Sequence, residues 1–300
     1  MLLCKVRKAL PVLPDDVFPM LSVIVPAYNE QDVIADCLRS LLAQDPGVSV
    51  EVIVSANGCT DNTVEICKSF ATEFNHKGIS YLVLQTAHGC KNSALNLADD
   101  KATYAARLYL DADVTCSPGL LRQATRILDT DEPVYFSGTL SIPAGKSFFS
   151  NAYGKIWIAM PYIRDAVTGI GCYGVNKAGR ALWGKFPSIH SDDKFVRMQF
   201  TDKQCVKLDA AYQWPVPQGL LTLVKVRTRW IKGNKELRLR FPHLLQAKSE
   251  NERLRTDKQS LTTMLFNPLH TLAFIVVYAS AALLAEMGTK QARIRWSRAR

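Results

Sequence analysis

Hydrophobic and polar positions follow two different periods in the first half of the chain. Short, continuous apolar runs rich in β-branched residues alternate with segments in which apolar residues recur every three or four positions. Such strands between amphipathic helices are typical of a parallel sheet that is covered on both faces. The pattern predicts strands at 21–25, 51–54, 81–84 and 107–110, and helices at 30–44, from a cap at Thr60 or Thr63 to residue 74, and at 93–98.

The second half of the chain is less regular. We find no internal repeat and no linker rich in glycine, serine or proline between the halves. Both halves are therefore expected to share one domain. The pattern predicts a strand pair or edge strand at 133–142, an apolar helix at 148–166, a glycine-rich turn at 168–174, and short helices at 177–182 and 193–200.

A third pattern occupies residues 269–285, which are apolar apart from His270, Thr271 and Ser280. Seventeen residues of helix measure about 26 Å, slightly less than the ~30 Å hydrocarbon core of a bilayer. A full span would carry the basic tail across the membrane, whereas a shallow or re-entrant helix would not. We expect membrane attachment and leave its geometry open; the alternative is a water-soluble helix that packs on the domain.

Positive charge is concentrated in the same part of the chain. The formal net charge is +10, and residues 225–258 contain eleven basic against four acidic residues. This excess predicts an anionic partner (nucleic acid, phospholipid or a phosphorylated substrate) unless it is only a solvated basic face. No helix-turn-helix, zinc-finger or RNA-binding motif accompanies it, so we do not expect a nucleic acid. Further basic residues lie at Lys290, Arg293, Arg295, Arg298 and Arg300.

The positions of the cysteines and histidines do not indicate a metal site built from these residues. The eight cysteines form no C-x-x-C pair and favour a reducing, cytosolic compartment. The histidines show no spacing typical of a metal site, and only His190, beside an acidic pair, stands out.

Two carboxylates, Asp111 and Asp113, follow the fourth predicted strand. Ligands of open parallel sheets bind beyond the carboxyl ends of the strands, which places this pair at the binding edge. Carboxylate oxygens there suit Mg²⁺ or Mn²⁺, which bridge phosphate oxygens and keep several waters. A pair of helix-capping aspartates is the alternative.

Other strand ends carry polar side chains that suit a nucleotide diphosphate. Tyr28 and Glu30 follow the first strand, and Asn57 follows the second, where Gly58 allows a tight turn. Lys91 precedes a short helix and could meet a phosphate, although a surface lysine is an equal interpretation.

These segments, taken in order, resemble the family-2 glycosyltransferases. The resemblance rests on Ser22-Val-Ile-Val-Pro-Ala-Tyr-Asn-Glu30, Asn57-Gly-Cys-Thr-Asp-Asn-Thr63 and Leu110-Asp-Ala-Asp113, and covers roughly residues 20–235. It continues at 169–174, 191–197 and 227–230. Members are inverting enzymes of the GT-A fold that use nucleotide-diphospho-sugars. The resemblance therefore implies an α/β fold with a Rossmann-like, mostly parallel sheet flanked by helices, here with a C-terminal membrane-associating apolar helix.

Site residues follow position by position from the resemblance. Asp113 is expected to be the principal metal ligand, supported by Asp111. Asp193 is expected to be the general base on the acceptor hydroxyl, with Asp192 as second choice and a helix cap as the structural alternative. The expected donor-binding residues are Pro26, Tyr28, Glu30, Asn57, Lys91, Asp111, Arg227, Arg229 and Trp230.

Two departures from the family pattern affect specificity. Many relatives have two acids where this chain has Ala56 and Asn57, so a preference for a uridine donor is less secure. Processive synthases carry Gln-x-x-Arg-Trp, whereas this chain has Val226 in place of the glutamine. Together with the single apolar segment, Val226 favours transfer of one sugar over chain elongation.

The sequence therefore predicts a metal-dependent, inverting glycosyltransferase at the cytoplasmic face of the membrane. It would move one sugar from a nucleotide-diphospho-sugar, most simply a UDP-sugar, to a saccharide or lipid-linked acceptor. The alternatives are a processive synthase and a catalytically silent sugar-nucleotide-binding protein; the latter would be expected to lose Asp113 or Asp193. The predicted divisions are an extension at 1–20, a catalytic domain at 21–260 with a donor half (21–115) and an acceptor half (116–260), and the apolar helix with its tail at 261–300.

Overall fold

The computed structural model describes residues 20–45, 47–87, 89–246 and 256–287. Most of the predicted extension and the whole basic tail after residue 287 lie outside these residues. The strands are β1 (Leu21–Ala27), β2 (Val50–Asn57), β3 (Ser80–Thr86), β4 (Ala106–Leu110), β5 (Thr115–Cys116), β6 (Tyr135–Ser141), β7 (Cys172–Val175) and β8 (Cys205–Gln213).

The helices cover both faces of the sheet and continue beyond it to the C-terminal region. They are α1 (Ile34–Leu42), α2 (Thr63–Ser69), α3 (Ala71–His76), α4 (Lys91–Lys101), α5 (Leu120–Thr125), α6 (Phe148–Ala159), α7 (Pro161–Arg164), α8 (Lys177–Arg180), α9 (Asp192–Arg197), α10 (Leu220–Arg240), α11 (His243–Gln246), α12 (Lys258–Leu265) and α13 (Pro268–Met287).

One eight-stranded sheet runs through both halves in the order β3-β2-β1-β4-β7-β6-β8-β5. The first four positions are parallel, as their continuous apolar runs predicted. β7 joins β4 and β6 in antiparallel pairings, and β6 pairs with β8 in parallel. The fold is therefore mixed α/β with a mostly parallel sheet, as expected from the sequence.

Successive side chains of a strand pack into hydrophobic clusters on opposite faces of the sheet. Val23 and Val25 of β1 pack under α1 in the larger hydrophobic cluster, whereas Ile24 between them belongs to the second cluster. Both faces of β1 are thus buried, which explains why its sequence is apolar without alternation. β3 is an edge strand and does alternate between exposed and part-buried residues.

Several predicted boundaries are wrong for identifiable reasons. Neither Thr60 nor Thr63 caps α2; Asn62 holds the cap position, and the Asp61 carboxylate accepts the Thr63 N–H at 3.0 Å. The 148–166 helix breaks at Pro161, whose ring nitrogen has no hydrogen to donate. The 133–142 segment is not an edge, since β6 lies between β7 and β8.

The C-terminal helix α13 packs on α6 and α10 with one face only. Phe274, Val277 and Ala281 on that face belong to the main core. The opposite face leaves large apolar side chains in solvent, including Leu272 and Ile275, which are 58% and 53% exposed. Within the described residues, α13 is the one helix whose length and composition would allow it to cross a membrane.

Candidate active site

The loops after β1 and β2 are tied together at the carboxyl edge of the sheet. Asn29 has a left-handed backbone (φ 54°), and its side-chain oxygen accepts the Thr60 N–H at 2.8 Å. The Glu30 N–H donates to the Thr63 hydroxyl at 2.7 Å. Tyr28 directly follows the buried end of β1. It therefore lies at the start of a turn that these two hydrogen bonds hold in place.

Asn57 makes a contact that the sequence did not indicate. It is fully buried at the end of β2, and its side-chain oxygen accepts the Cys90 N–H at 2.7 Å. This bond holds the segment before α4 against the sheet. On the same segment, a β-carbon at Gly89 would lie 3.1 Å from the Tyr28 ring, so only glycine fits there comfortably. Asn57 therefore helps to position Lys91, and its contact with a donor base stays a prediction.

Lys91 connects the two acidic motifs. Its ammonium nitrogen lies 2.8 Å from Asp111 Oδ1 and 3.2 Å from Asp192 Oδ2. Burial disfavours the charged ammonium, but the carboxylates of Asp111 and Asp192 outweigh burial and raise the pKa of Lys91 above its ordinary value. Lys91 is thus a permanent cation between strand β4 and helix α9.

Asp111 and Asp113 lie beyond the end of β4, where the chain turns. The Asp111 N–H donates to the Gly171 carbonyl at 2.8 Å, and the Asp111 side chain remains 34% exposed. Asp113 is half-buried near Cys37, whose pKa is raised by burial and by the Asp113 charge.

The donor set at Asp111 and Asp113 fits a hard divalent ion. In the part of the chain that the structure describes, no group of three or more metal-ligating side chains converges. Two accessible carboxylates without further protein ligands match an ion that takes its remaining ligands from water and a diphosphate. Lys91 would then share Asp111 with that ion.

The acidic pair opens helix α9. Asp192 is buried, and the Tyr173 hydroxyl donates to its Oδ2 at 3.5 Å. Asp193 is only part-buried and accepts the Lys194 N–H at 2.7 Å. Burial and then the Asp192 charge raise the pKa of Asp193 to about 6, against the opposing charge of Lys91. Ser191, rather than Asp193, holds the cap position.

Helix α10, which the sequence pattern did not predict, presents Arg229 to this cluster. Burial lowers the pKa of Arg229, while Asp111, Asp192 and Asp193 act in the opposite direction, so the guanidinium lies within electrostatic reach of all three. One turn further along α10, a β-carbon at Gly233 would overlap the Ser191 hydroxyl. α10 and the start of α9 are therefore in direct contact.

Trp230 contributes to an aromatic wall beside the cluster. Its ring lies 5.5 Å from Trp157 and 5.9 Å from Trp214, measured between centroids. Arg227, which was also predicted to bind the donor, contacts a different ring. Its guanidinium lies over the Tyr278 ring of α13, 4.5 Å from the centroid, and therefore on a different side of α10 from Arg229.

His190 and Glu236 form a contact of which the sequence indicated only His190. The His190 Nδ1 lies 2.9 Å from Glu236 Oε2, and Arg240 holds the other carboxylate oxygen at 2.8 Å. His190 attracted attention by its place before the acidic pair, but nothing in the sequence indicated Glu236 or Tyr173. Both act through contacts with residues distant in the chain.

Acidic groups at the carboxyl ends of a mixed α/β sheet, joined by a lysine, define a transferase-like site for a phosphorylated ligand. The sequence profile described as "Glycosyl transferase family 2" matches residues 22–180, more than half of the chain. The protein therefore belongs to glycosyltransferase family 2.

Relatives in sequence agree with this assignment. The uncharacterized glycosyltransferase YibD of Escherichia coli is 29% identical over 151 residues, which are 50% of this chain and 40% of YibD. A poly-beta-1,6-N-acetyl-D-glucosamine synthase of Staphylococcus epidermidis is 23% identical over 296 residues, or 87% of this chain and 66% of the synthase. The chain thus spans less than two thirds of the length of either relative.

Solved structures share the fold. Mannosyltransferase PcManGT from Pyrobaculum calidifontis, in complex with GDP-Man and Mn²⁺, superposes with a TM-score of 0.56 at 19% identity, covering 95% of this chain and 80% of that one. S. aureus TarS 1-349, in complex with UDP-GlcNAc, gives a TM-score of 0.50 at 16% identity, covering 89% and 90%. At such identities the similarity establishes the GT-A architecture.

Proposed function

We propose that this protein transfers a single sugar, with inversion, from a nucleotide-diphospho-sugar to a saccharide or lipid-linked acceptor at the cytoplasmic face of a membrane. The observation that carries the proposal is the Lys91 ammonium between Asp111 and Asp192. It brings the strand-end carboxylates and the acidic pair into one charged cluster. A donor diphosphate and an acceptor hydroxyl would need these two groups on either side of the reacting carbon.

The nucleotide would occupy the edge formed by the loops after β1 and β2. Tyr28 and Glu30 supply an aromatic face and a carboxylate for a base and ribose, and Pro26 closes the end of β1 beneath them. Lys91 and Arg229 supply positive charge for the diphosphate. We favour a uridine donor, and the engagement of Asn57 by Cys90 leaves the choice of base to the Tyr28 loop.

Asp113 and Asp111 would hold Mg²⁺ or Mn²⁺ against the diphosphate. A bound divalent ion stabilises the negative charge that develops on the departing diphosphate. The partial exposure of Asp111 and Asp113 supports this assignment, because both carboxylates can be reached from the donor edge. The ordered GDP-Man and Mn²⁺ of the structural relative PcManGT are consistent with it.

Asp193 would act on the acceptor. Its carboxylate takes the proton of the acceptor hydroxyl as that oxygen bonds to the anomeric carbon, and the bond from this carbon to the diphosphate oxygen breaks with its electron pair. A pKa of about 6 leaves Asp193 largely ionised near neutrality yet more basic than an ordinary aspartate. Asp192, buried and paired with Lys91, is better suited to hold charge than to exchange protons.

Single transfer is favoured over chain elongation by the environment of Val226. This side chain replaces the glutamine of the processive synthases and is only 4% exposed, packed within α10. It offers no polar group to a growing chain. Trp230 remains available as one wall of the acceptor site.

Membrane contact is supported by the exposed face of α12 and α13. Together these helices form an apolar groove that opens away from the domain. A continuous apolar face of this kind on a soluble surface is typical of an interaction site. The groove is lined by Leu261, Met264, Leu265, Leu272 and Ile275, among others.

The decisive test is product analysis with the purified full chain. Nucleotide-sugars are supplied with Mn²⁺ and a membrane-lipid or oligosaccharide acceptor mixture, and nucleoside-diphosphate release and the anomeric configuration of the product are measured. We expect acceptor-dependent release and a configuration opposite to that of the donor. Donor binding without release under all acceptors would favour the silent binding protein, and a ladder of products would favour a processive synthase.

A further inference from the structure

A group of buried polar atoms without partners lies where α6, α7 and α10 meet, next to Tyr278 of α13. Four of these atoms are buried and make no hydrogen bond: Tyr153 Oη, Trp157 Nε1, Tyr162 Oη and Arg227 Nε. Unpaired buried polar atoms are costly and usually mark a missing partner. We call these four residues the Arg227 cluster.

The four side chains are close enough to act together. The rings of Tyr153 and Trp157 lie 5.6 Å apart, one turn from each other on α6. Burial raises the pKa of Tyr153 and of Tyr162, and the Arg227 charge opposes this rise in both, so the guanidinium is within electrostatic reach of both hydroxyls. Among the residues that the structure describes, no carboxylate pairs with Arg227.

The chemistry of the cluster matches an anionic oxygen ligand. A guanidinium and an indole N–H can only donate hydrogen bonds, and the two phenols can donate as well. Arginine recognises phosphate with paired, charge-assisted hydrogen bonds. The aromatic faces of Tyr278 and Trp230 stabilise the cation, at 4.5 and 5.8 Å from the ring centroids, and the buried Arg227 Nε has no hydrogen-bond partner.

The position of the cluster indicates where the phosphate comes from. Arg227, Tyr162 and the neighbouring Tyr278 are only part-buried, whereas Tyr153 and Trp157 are buried. Tyr278 belongs to α13, whose other face carries Leu272 and Ile275 into solvent. An anion-binding site on one side of a helix and an apolar face on the other suit a molecule with both a phosphate and long hydrocarbon chains.

We propose that the Arg227 cluster binds the phosphate headgroup of a membrane lipid whose hydrocarbon chains lie along the α12–α13 groove. The inference rests on the proposed membrane contact, but not on the transfer reaction. Arg227, which the family resemblance placed at the donor diphosphate, would then bind the phosphate of the lipid. It also explains why buried polar groups without partners lie next to α13.

Charge-preserving variants test the proposal without changing the general attraction of a basic protein to anionic vesicles. Tyr153→Phe removes one hydroxyl, and Arg227→Lys keeps the charge but removes the planar fork. Tyr135→Phe is the matched control, because its hydroxyl is also buried and unpaired but lies in the second core cluster. Thermal unfolding of both tyrosine variants checks that each folds like the parent, so that a change in vesicle binding reports on the hydroxyl alone.

Vesicle binding of the full chain is compared for three compositions: phosphatidylcholine alone, with phosphatidic acid, and with diacylglycerol, which has the same chains and no phosphate. We expect the parent and Tyr135→Phe to prefer phosphatidic acid. The affinity of Tyr153→Phe and Arg227→Lys for these vesicles should fall roughly tenfold or more, as for loss of a hydrogen bond to a charged group. Their binding to phosphatidylcholine should remain unchanged.

Four results would overturn the inference. Equal binding of the parent to phosphatidic acid and diacylglycerol vesicles excludes the headgroup site while leaving membrane contact intact. If Tyr153→Phe and Arg227→Lys both still prefer phosphatidic acid vesicles, the preference is due to surface charge. Abolition of the preference by inorganic phosphate at concentrations that leave phosphatidylcholine binding unchanged makes the ligand free phosphate. Absence of binding to every vesicle overturns the proposed membrane contact together with this inference.

Discussion

The Lys91 ammonium lies 3.2 Å from the Asp192 carboxylate, although the two residues are 101 positions apart and belong to different helices. Asp192 is buried, and a buried carboxylate is stable as an anion only with a close positive partner. Because Lys91 also contacts Asp111, a change at the donor edge alters the charge balance at the acidic pair. The two parts of the site are therefore electrostatically coupled before any ligand binds.

Lys91→Gln should shift the pH profile of transfer as well as weaken donor binding. Lys91 lowers the pKa of Asp193, so its removal raises that pKa above about 6 and moves the acidic limb of the rate profile to higher pH. The measurement is the transfer rate against pH at saturating donor. Lys185→Gln, at an exposed ion pair with Asp100, is the control and should keep the parental profile. An unshifted limb in Lys91→Gln would separate Lys91 from the base.

Asp193→Asn should abolish most of the transfer while leaving donor affinity nearly unchanged. The amide keeps the acceptor for the Lys194 N–H but cannot take a proton. Loss of a positioned general base costs about 10²–10⁴ in rate. Single-turnover transfer and donor titration measure the two quantities separately. Parental transfer in this variant would move the assignment to Asp192, and loss of donor binding would make Asp193 structural.

The same variant should be more stable than the parent at neutral pH. The pKa of Asp193 is about 6 in the folded protein, above its ordinary value of 3.8. The folded state therefore binds this proton more tightly than the unfolded state, and the favourable contribution, complete below pH 3.8, is lost as pH rises through about 6. Asp193→Asn removes the loss, worth on the order of 3 kcal/mol. Urea unfolding at several pH values checks whether the gain over the parent grows between these limits; a constant difference contradicts the raised pKa.

Asp113→Asn should mimic a chelator. If Asp113 is the principal ligand of Mg²⁺ or Mn²⁺, the variant should bind a nucleotide-sugar as weakly as the parent does in EDTA, and added Mn²⁺ should rescue only the parent. Asp209→Asn, at an exposed position of β8, is the matched control. Donor affinity that is the same with EDTA and with Mn²⁺ would remove the ion from the proposal.

The sequence predicted those parts of the fold and site that depend on local pattern. Continuous apolar runs marked β1 and β2, and the carboxylates Asp111 and Asp113 had to meet the other strand ends because parallel strands end at one edge. The hydrogen bond that Asn57 accepts could not be predicted, since its donor is a backbone N–H thirty-three residues later.

Helix α10 shows why the positions of the remaining site residues could not be predicted from the hydrophobic pattern. Its sequence mixes basic and apolar residues without a clear stripe, so we interpreted it as a charge excess rather than a helix. Without the helix, Arg227 and Arg229 were equivalent candidates for the donor. Residues two apart on a helix point about 200° from each other. Only Arg229 can therefore face the carboxylates, and Arg227 must face α13.

Charge placed on the exposed face of α13 should release the protein from membranes without unfolding it. Leu272→Glu with Ile275→Glu changes two side chains that are 58% and 53% exposed, whereas deletion of the helix would also remove core residues on its other face. Each apolar side chain that leaves water contributes about 1.5–3 kcal/mol. The double variant should therefore lose at least roughly a hundredfold in partitioning to phosphatidylcholine vesicles.

Vesicle co-sedimentation of the full chain measures this partitioning, and donor binding confirms that the variant is folded. Leu82→Glu with Leu182→Glu is the matched control, because it adds the same charge at side chains that are 40% and 41% exposed outside α12 and α13. The control should sediment like the parent. If the control is released as fully as the α13 variant, net charge rather than this face sets binding, and if neither variant is released, the apolar face does not contact the bilayer. A parent that stays in the supernatant would leave α13 as a helix that only packs on the domain.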